Sequence, residues 1–308
     1  MEIRDIIYVL EVAKTKSFSQ AAQNLFITQP SLSQSIKNFE ENLGISLFDR
    51  STKPLTLTYA GEQFISKAQD ILISSQELKT KMNDLIGLKK ALVTFGCTAF
   101  RGRFFYPNIL PIFVERYPGI DIVIKEEPTT AKLEKRLLRG ELDCCIQVLP
   151  VQNEGISYEV FSTEKLGLLM SPQHAKRLIS KTTQSLNSPY PEISLANLKN
   201  EEFVLQALPA AGRLCMNKVF NEENFVPKIA AESNSLDVIY ALAGSGFGLA
   251  FITDALIPII SPKYGAVFFT LKGQSPLIAE YAFTYRTNSY LSKATLAFLE
   301  VIKQVYKR

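Results

Sequence analysis

The sequence predicts a multidomain α/β protein, in which a small helical module is followed by one long helix and a larger module of strands and helices. Three observations predict this organisation. Apolar residues recur at helical spacing through residues 3–43. A heptad repeat of apolar residues then runs between residues 58 and 85. Beyond residue 90, short apolar runs typical of buried strands alternate with amphipathic helical segments.

Length and composition narrow the class of protein. The 308 residues exceed a single compact core, and 46% hydrophobic with 21% charged residues is typical of a globular chain. No apolar stretch reaches the ~18 residues that a membrane span requires. The first 14 residues contain acids and lack a small-residue cleavage site, so we expect no signal peptide and a cytoplasmic location without membrane association.

Cysteine and histidine content argues against metal, disulfide and histidine-based catalytic chemistry. The cysteines are Cys97, Cys144, Cys145 and Cys215, and they form no CxxC pair. His174 is the single histidine. We therefore expect no metal site, no cofactor and no enzymatic activity.

The first module contains three predicted helices. An apolar stripe at Ile3, Ile6, Ile7, Leu10 and Ala13 predicts the first helix, and Ser17 is placed to cap a short second one. The third helix is expected to begin after Thr28 with Pro30 in its first turn and to end at Gly44. Its predicted apolar face consists of Leu32, Ile36, Phe39 and Leu43.

The opposite face of the third helix carries short hydrogen-bonding groups and one cation, namely Gln29, Ser31, Ser33, Gln34 and Lys37. Such groups contact base edges and phosphates in a major groove. Residues 45–58 then predict a β-hairpin with Arg50 and Lys53 near its tip. The helices alone also fit an ordinary three-helix bundle. The hairpin favours a winged helix-turn-helix that binds double-stranded DNA.

Net charge does not decide this question. The whole chain has a formal charge of +4, but its first 58 residues carry six lysines and arginines against six acids. DNA binding must therefore depend on where the cations lie.

The long helix carries a heptad seam with one polar member. The seam residues are Phe64, Ala68, Ile71, Ser75, Leu78, Met82 and Leu85. Such a seam either packs on its own domain or pairs with a second chain. Dimerisation is favoured because a two-fold symmetric operator requires a two-fold symmetric protein.

In the last module, buried strands are predicted at 91–97, 120–124, 144–148, 166–170, 203–205 and 249–251. Helices are predicted at 105–116, 131–139 and 236–243. This alternation predicts an α/β domain with mostly parallel strands. The glycines at 244, 246 and 248 precede a strand rather than opening a helix, which argues against a dinucleotide-binding loop.

Residues 13–61 resemble the DNA-binding domain of LysR-type transcriptional regulators. The matching motifs are Ser17-Phe18-Ser19 with Ala21-Ala22, the TQPSLS run 28–33, Ile36 with Glu40, Leu43-Gly44, Leu47-Phe48 with Arg50, and Leu57-Thr58 with Ala60-Gly61. Gln34 departs from the family, which often carries Arg or Lys there. A glutamine favours adenine at that contact. The segments LVTFGCTAF, IFVERYPGIDIVIKE, LLRGELDCCI and SLDVIYALAGSGFGLAFI resemble the same family more loosely.

The resemblance implies a specific domain organisation. Residues 1–58 form the winged helix-turn-helix, 59–88 the linker helix and 89–308 a periplasmic-binding-protein-like effector domain, with Gly87 opening a hinge before Lys89-Lys90. The effector domain has two subdomains, 89–163 with 270–308 and 164–269, joined by crossovers near 161–166 and 269–271. It further implies a homodimer or homotetramer, with RNA polymerase as a candidate partner.

The same resemblance places an effector cleft at the carboxyl ends of the strands. Expected cleft residues are Thr98, Ala99, Thr129, Thr130, Gln147, Gln206, Ala207 and Leu208. Arg101, Arg103 and Arg213 are candidate counter-charges, and the apolar segment ALPAAGR suggests a carboxylate with an apolar part as ligand. Peroxide-sensing relatives carry a reactive cysteine pair, but Cys215 has no partner in the next ten residues, so no disulfide switch is expected.

The sequence thus predicts a LysR-type regulator that binds a pseudo-palindromic promoter site and responds to a small molecule. A cytoplasmic solute-binding protein without DNA binding is the main alternative, and an enzyme is a more distant one.

Overall fold

The computed structural model of the chain describes residues 1–86, 91–183, 190–273 and 277–306. The chain divides into two compact units, Met1–Gly87 and Leu88–Arg308. The expected hinge at Gly87 and the pair Lys89-Lys90 lie outside the described residues.

The first unit is helical with a small hairpin. Its elements are α1 Ile3–Thr15, α2 Phe18–Asn24, α3 Gln29–Leu43, β1 Phe48–Asp49, β2 Thr56–Leu57 and α4 Tyr59–Ile86. The Ser17 side chain accepts a hydrogen bond from the backbone N–H of Gln20 at the start of α2. The Thr28 side chain accepts from Ser31 N at the start of α3, which ends at Gly44 with φ of 71°. These local signals fixed the helix ends because each satisfies backbone groups that a helix terminus leaves unpaired.

The core of the first unit differs from the predicted stripe on α1. Ile6, Val9 and Val12 are buried, whereas Ile3 and Ile7 are 45% and 40% exposed. Buried residues on α2, α3 and β1 complete the core, and they include Ala21, Ala22, Leu32, Ile36, Phe39 and Phe48. Leu43, expected on the buried face of α3, is 40% exposed.

A buried carboxylate holds the hairpin against α3. Glu40 accepts hydrogen bonds from the backbone N–H groups of Leu47 at 2.7 Å and Phe48 at 3.1 Å. The strands β1 and β2 pair antiparallel, with Phe48 opposite Leu57. The first turn of α4 lies against the same segment, since a Cβ built on Gly61 would lie 2.1 Å from the carbonyl oxygen of Leu47. The glycine of the Ala60-Gly61 motif is therefore required, because a side chain at this position would collide with the backbone of Leu47.

Helix α4 has 28 residues, and its predicted seam divides into two parts. Ala68 is buried, and the Phe64 ring contacts the Phe39 ring at a centroid distance of 5.5 Å. The remaining apolar members, Ile71, Leu78, Met82 and Leu85, are exposed. Over the parts of the chain that the structure covers, no helix is long and apolar enough to cross a membrane.

The second unit alternates strands and helices. In its first half lie β3 Ala91–Thr98, α5 Ala99–Arg116, β4 Ile120–Glu127, α6 Thr130–Leu138, β5 Cys144–Val148 and β6 Ile156–Met170. These are followed by α7 Pro172–Leu178, β7 Glu192–Ser194, β8 Glu202–Gln206, α8 Ala211–Glu222, β9 Lys228–Ser233 and α9 Leu236–Ser245. The unit ends with β10 Ala250–Thr253, α10 Ile257–Tyr264, β11 Val267–Lys272, β12 Ile278–Arg286 and α11 Lys293–Tyr306.

The strands form a mixed sheet rather than a mostly parallel one. Its order is β4-β3-β5-β12-β6-β11-β7, with β10 also on β6, and β8 pairs separately with β9. The pairs β3–β4, β3–β5 and β8–β9 are parallel. The pairs that β6 forms with β10, β11 and β12 are antiparallel.

Strand β6 runs through both halves of the unit. Its residues 156–165 pair with β12, and its residues 166–170 pair with β10 and β11. The chain was expected to return near residues 269–271. Phe269 and Leu271 instead lie in β11, which pairs with the far end of β6 and with β7, so the return falls later, between β11 and β12. Separate cores flank this region, one around Phe95, Phe105, Phe283 and Phe298 and another around Leu168, Phe203, Leu249 and Phe269.

Candidate nucleic-acid interface and ligand cavity

The outer face of α3 is polar and open to solvent. Gln29, Pro30, Ser31, Gln34 and Lys37 are exposed, and Ser33 is half-buried. Ser17 is also half-buried, and its hydroxyl is occupied as the cap of α2 at 3.3 Å from Gln20 N.

Two of the predicted contact residues already have partners on α3. Gln34 Nε2 donates to Asn38 Oδ1 at 2.7 Å, and Lys37 Nζ lies 3.7 Å from a Glu41 oxygen. Asn38 was not among the contact residues predicted from the sequence, although its position four residues after Gln34 places it on the same face of α3. These exposed contacts are weak enough to exchange for contacts to DNA.

The two cations of the hairpin have different surroundings. Arg50 donates to buried Glu40 at 2.9 Å, and its guanidinium lies 5.3 Å from the Phe18 ring centroid. Lys53 is exposed and forms no ion pair within the described ranges. Hydrogen bonds from the Ser51 hydroxyl and backbone N–H lower the pKa of nearby Asp49. Arg50 thus has a structural role at the base of the hairpin, whereas the Lys53 side chain is open to solvent.

The second unit encloses a cavity of about 330 Å³, within the size range of small-molecule sites. Six of the predicted cleft residues line it, namely Thr98, Ala99, Thr129, Thr130, Gln147 and Gln206. Ala207 and Leu208 do not line it, and Leu208 is 56% exposed. The chain turns outward after β8 and returns at Ala210, Ala211 and Gly212, which supply that wall. In the sequence, these residues were indicated by the small-residue segment ALPAAGR, which follows β8.

Helix N-termini face the cavity from both halves of the unit. Thr98, Ala210 and Ser235 precede α5, α8 and α9, line the cavity, and provide no side-chain cap. Thr129, by contrast, caps α6 by accepting from Lys132 N at 3.4 Å. Uncapped first-turn N–H groups and the helix dipole favour oxygen acceptors and negative charge at these positions.

Each of the three candidate arginines has a carboxylate partner. Arg101 pairs with Glu164, Arg103 with Asp237 at 2.9 Å, and Arg213 with Glu232. The Arg101 guanidinium also lies 3.8 Å from the centroid of the Tyr281 ring. Burial raises the pKa of Tyr281 to about 12 against the opposing effect of Arg101, so this ring is neutral at physiological pH.

Asp237 lies on α9 and contacts side chains of α5 and α10. Partial burial alone would raise its pKa, but hydrogen bonds from Lys263 and Tyr264, together with the Arg103 charge, lower it overall. Lys263 Nζ and the Tyr264 hydroxyl both lie 3.0 Å from Asp237 Oδ1. Asp237 is therefore anionic at neutral pH and firmly held.

The side chain of Gln147 has a fixed orientation. Gln147 Nε2 donates at 3.1 Å to Glu134, which is fully buried and also accepts from Gln152 N and Asn153 Nδ2. Gln147 is 2% exposed, and its Oε1 has no hydrogen-bond partner among the described residues. The buried Thr130 hydroxyl likewise lacks a partner within those residues. Glu134 was not among the site residues predicted from the sequence. Its only signal there was its position beside Leu133 on the inward face of α6.

The cysteine thiols are protonated at neutral pH. Burial raises the pKa of Cys97 to about 12 and raises the pKa values of Cys144, Cys145 and Cys215 above the usual range. Cys215 lines the cavity but is not activated as a thiolate. In the parts of the chain described, no group of three His, Cys, Asp or Glu residues is arranged to hold a metal ion.

Comparisons with known proteins agree with this architecture. The family described as "Bacterial regulatory helix-turn-helix protein, lysR family" matches residues 3–62, and "LysR substrate binding domain" matches residues 87–307. The uncharacterized HTH-type transcriptional regulator YcgK of Bacillus subtilis is 30% identical, over 100% of this chain and 96% of its own length.

Solved structures of similar fold cover nearly the whole chain. A full-length OxyR variant from Pseudomonas aeruginosa superposes with a TM-score of 0.72 at 22% identity, covering 100% of this chain and 95% of that one. Full-length CbnR, solved in complex with its target DNA, gives 0.65 at 20% identity, covering 99% and 100%. At these identities the likeness concerns the fold.

A winged helix-turn-helix unit in one chain with a cavity-bearing α/β unit defines a ligand-responsive, DNA-binding transcriptional regulator. The chain belongs to the LysR family of these regulators. The resemblance and the fold class predicted from the sequence are thereby confirmed. The members of this family are transcriptional regulators rather than enzymes.

Proposed function

We propose that this regulator acts in the cytoplasm, binds a pseudo-palindromic promoter site as a homodimer or homotetramer, and responds to a small molecule in the cavity of its second unit. The observation that carries the effector is the cavity itself, whose lining includes Gln147 and Thr130, two buried residues that each have a polar atom without a partner in the described chain. A ligand satisfies such atoms and thereby favours one conformation of the unit over another.

The proposed organisation follows the two units. Residues 1–58 bind DNA, 59–88 form the linker and dimerisation helix, and 89–308 bind the effector. One effector subdomain consists of residues 89–163 with β12 and α11, and the other extends from residue 164 to the end of β11. Support for pairing along α4 comes from exposed Ile71, Leu78, Met82 and Leu85, which continue a heptad seam beyond the part that packs on its own core. RNA polymerase is proposed as a candidate further partner at the promoter.

The proposed DNA contacts divide by chemistry. Gln29, Ser33 and Gln34 read base edges, with Ser17, Pro30 and Ser31 beside them, and Lys37, Arg50 and Lys53 hold phosphates. Exposure of the α3 face and of Lys53 supports this division. Arg50 contributes in part by holding the hairpin through Glu40.

Lys53→Ala is expected to weaken binding to specific and unrelated duplexes alike and to reduce the slope of log affinity against log salt by about 1 for each protomer that contacts the duplex. Gln34→Ala is expected to relax preference at one base position, because a side-chain amide discriminates bases by about 1–3 kcal/mol. Fluorescence anisotropy on an operator series at several salt concentrations measures both. Exposed Lys14 on α1 provides the control variant Lys14→Ala. Equal behaviour of Lys53→Ala and Lys14→Ala would contradict the assignment.

Thermal unfolding of the full chain tests the effector. A ligand at ~100 times its Kd adds roughly 2.7 kcal/mol of stability, so a panel of small carboxylates, amino acids and aromatic acids should contain compounds that raise the midpoint. Thr98→Val removes the hydroxyl at the start of α5 and should abolish the shift. Thr163→Val, at an exposed position of β6, is the matched control. A shift that survives Thr98→Val unchanged would place the ligand elsewhere.

A further inference from the structure

The arginines that line the cavity are already paired. Each has a carboxylate partner, the pairs being Arg101–Glu164, Arg103–Asp237 and Arg213–Glu232, and Asp237 is shared with Lys263. Within the described lining, no arginine or lysine remains for a ligand anion. A ligand with a net negative charge would have to break a pair or leave its charge uncompensated in a partly desolvated site. A ligand with zero net charge leaves the net charge of the site unchanged.

The cavity lining nonetheless contains polar groups of opposite character. The uncapped N-termini of α5, α8 and α9 offer N–H donors and positive partial charge. On β5, which pairs in parallel with the strand that leads into α5, Gln147 Oε1 is an acceptor without a partner among the described residues, and the Thr130 hydroxyl on α6 is similarly unpartnered. A complementary ligand therefore carries an oxygen acceptor at one position and a hydrogen-bond donor at another.

Glu134 determines which atom of Gln147 faces the ligand. Because the buried Glu134 carboxylate accepts from Gln147 Nε2, the amide cannot turn its N–H₂ group toward the cavity without losing that bond. The negative charge of Glu134 also polarises the amide, which makes Oε1 a stronger acceptor. A cationic donor gains more from this arrangement than a neutral hydroxyl, because hydrogen bonds to charged groups are the stronger ones.

We propose that the effector is a small zwitterion, an amino acid with an apolar side chain. Its carboxylate is held by helix N-termini, its ammonium donates to Gln147 Oε1, and its apolar part packs on the wall that includes Ala210, Ala211 and Met216. Glu134 is a positioning residue that acts through Gln147. This inference rests on the proposed function, since it names the ligand class of the same cavity.

Matched compounds test the class on the full chain. Thermal unfolding is compared for leucine, 4-methylpentanoate and 3-methylbutylamine, and for phenylalanine, 3-phenylpropanoate and 2-phenylethylamine. Stabilisation by an amino acid, with neither its deaminated acid nor its amine matching it, is the expected result. Equal or greater stabilisation by a donor-free acid overturns the inference and leaves the proposed function standing. Stabilisation by no compound of any kind counts against both.

Variants of the acceptor side test the residues. Gln147→Met is expected to weaken binding of the stabilising amino acid about 10- to 100-fold, while changing the affinity of the deaminated acid less than about twofold. Glu134→Gln should reduce the ratio of these two affinities, a readout that a purely structural role would leave unchanged. Exposed Gln173 on α7 provides the control Gln173→Met. Equal weakening of both ligands by Gln147→Met overturns the assignment.

Thr130→Val provides a second route if Gln147→Met does not fold. This change removes one hydroxyl and keeps the side-chain volume. A loss of at least threefold in amino-acid affinity is expected if the Thr130 hydroxyl faces the ligand. Unchanged affinity would remove Thr130 from the site and, together with an unchanged affinity ratio in Glu134→Gln, would overturn the proposal.

Discussion

A Glu164→Ala variant is expected to lose about 3–5 kcal/mol of unfolding free energy in the second unit, one of the two largest effects that the structure predicts. The Glu164 side chain is 3% exposed and its partner Arg101 is 10% exposed. Removing the carboxylate leaves the guanidinium buried against Tyr281 without a counter-charge. The transition of the second unit in a denaturant series, followed by tyrosine fluorescence, measures the loss.

Two controls separate an unpaired charge from a general loss of packing. The double replacement of Arg101 by methionine and Glu164 by leucine removes both charges, and its stability should lie within about 1 kcal/mol of the parent or above it. Glu222→Ala breaks the exposed pair with Lys218 on α8, where ion pairs contribute about 0–1 kcal/mol. A Glu164→Ala effect no larger than that of Glu222→Ala would show that the pair does not hold this region.

The second large effect is expected at Glu40. Glu40→Ala removes the acceptor for Leu47 N, Phe48 N and Arg50, and it leaves two buried backbone donors unsatisfied. Each such donor left unsatisfied costs about 1–3 kcal/mol, so the first unit should lose about 2–6 kcal/mol of unfolding free energy. DNA affinity should fall as well, because Glu40 holds the hairpin that carries Lys53.

Hydrogen exchange measures this effect at the atoms concerned. The amides of Leu47 and Phe48 should lose protection in Glu40→Ala, while amides within α1 change much less. The neighbouring Glu41 is exposed and lies 3.7 Å from Lys37, so Glu41→Ala is the matched control with an expected change below about 0.5 kcal/mol. Full protection of both amides in Glu40→Ala would rule out this role.

Elements whose limits are set by local sequence signals were predicted accurately. The caps at Thr28 and Gly44 bound α3 as expected, and β5 matches the predicted strand at both ends. Helix α5 starts at Ala99 rather than residue 105, so Pro107 lies in its interior instead of in its first turn. The outward position of Ile3 and Ile7 is set by what packs on α1, which periodicity alone does not reveal.

The residues of the cavity likewise divide into those that the sequence marks locally and those whose pairing depends on tertiary structure. Thr98, Thr130 and Gln147 could be predicted because they lie at strand ends and helix starts, positions that a sequence marks locally. The Arg101–Glu164 pair joins residues 63 positions apart, and the Gln147–Glu134 bond depends on how α6 lies on β5. Such pairings are set by tertiary structure, so the paired state of the arginines could not be predicted from the sequence.

The division of the α4 heptad seam into a packed part and an exposed part affects how these two parts are rotated relative to each other about the helix axis. At 1.5 Å per residue the 28-residue helix extends about 42 Å, anchored in the core of its own unit at Phe64 and Ala68 and apolar toward solvent from Ile71 onward. Each added residue rotates everything beyond it by about 100°. In the proposed dimer, the number of residues between anchor and exposed stripe therefore sets the direction in which α3 points, and hence which face of the duplex the second copy can reach.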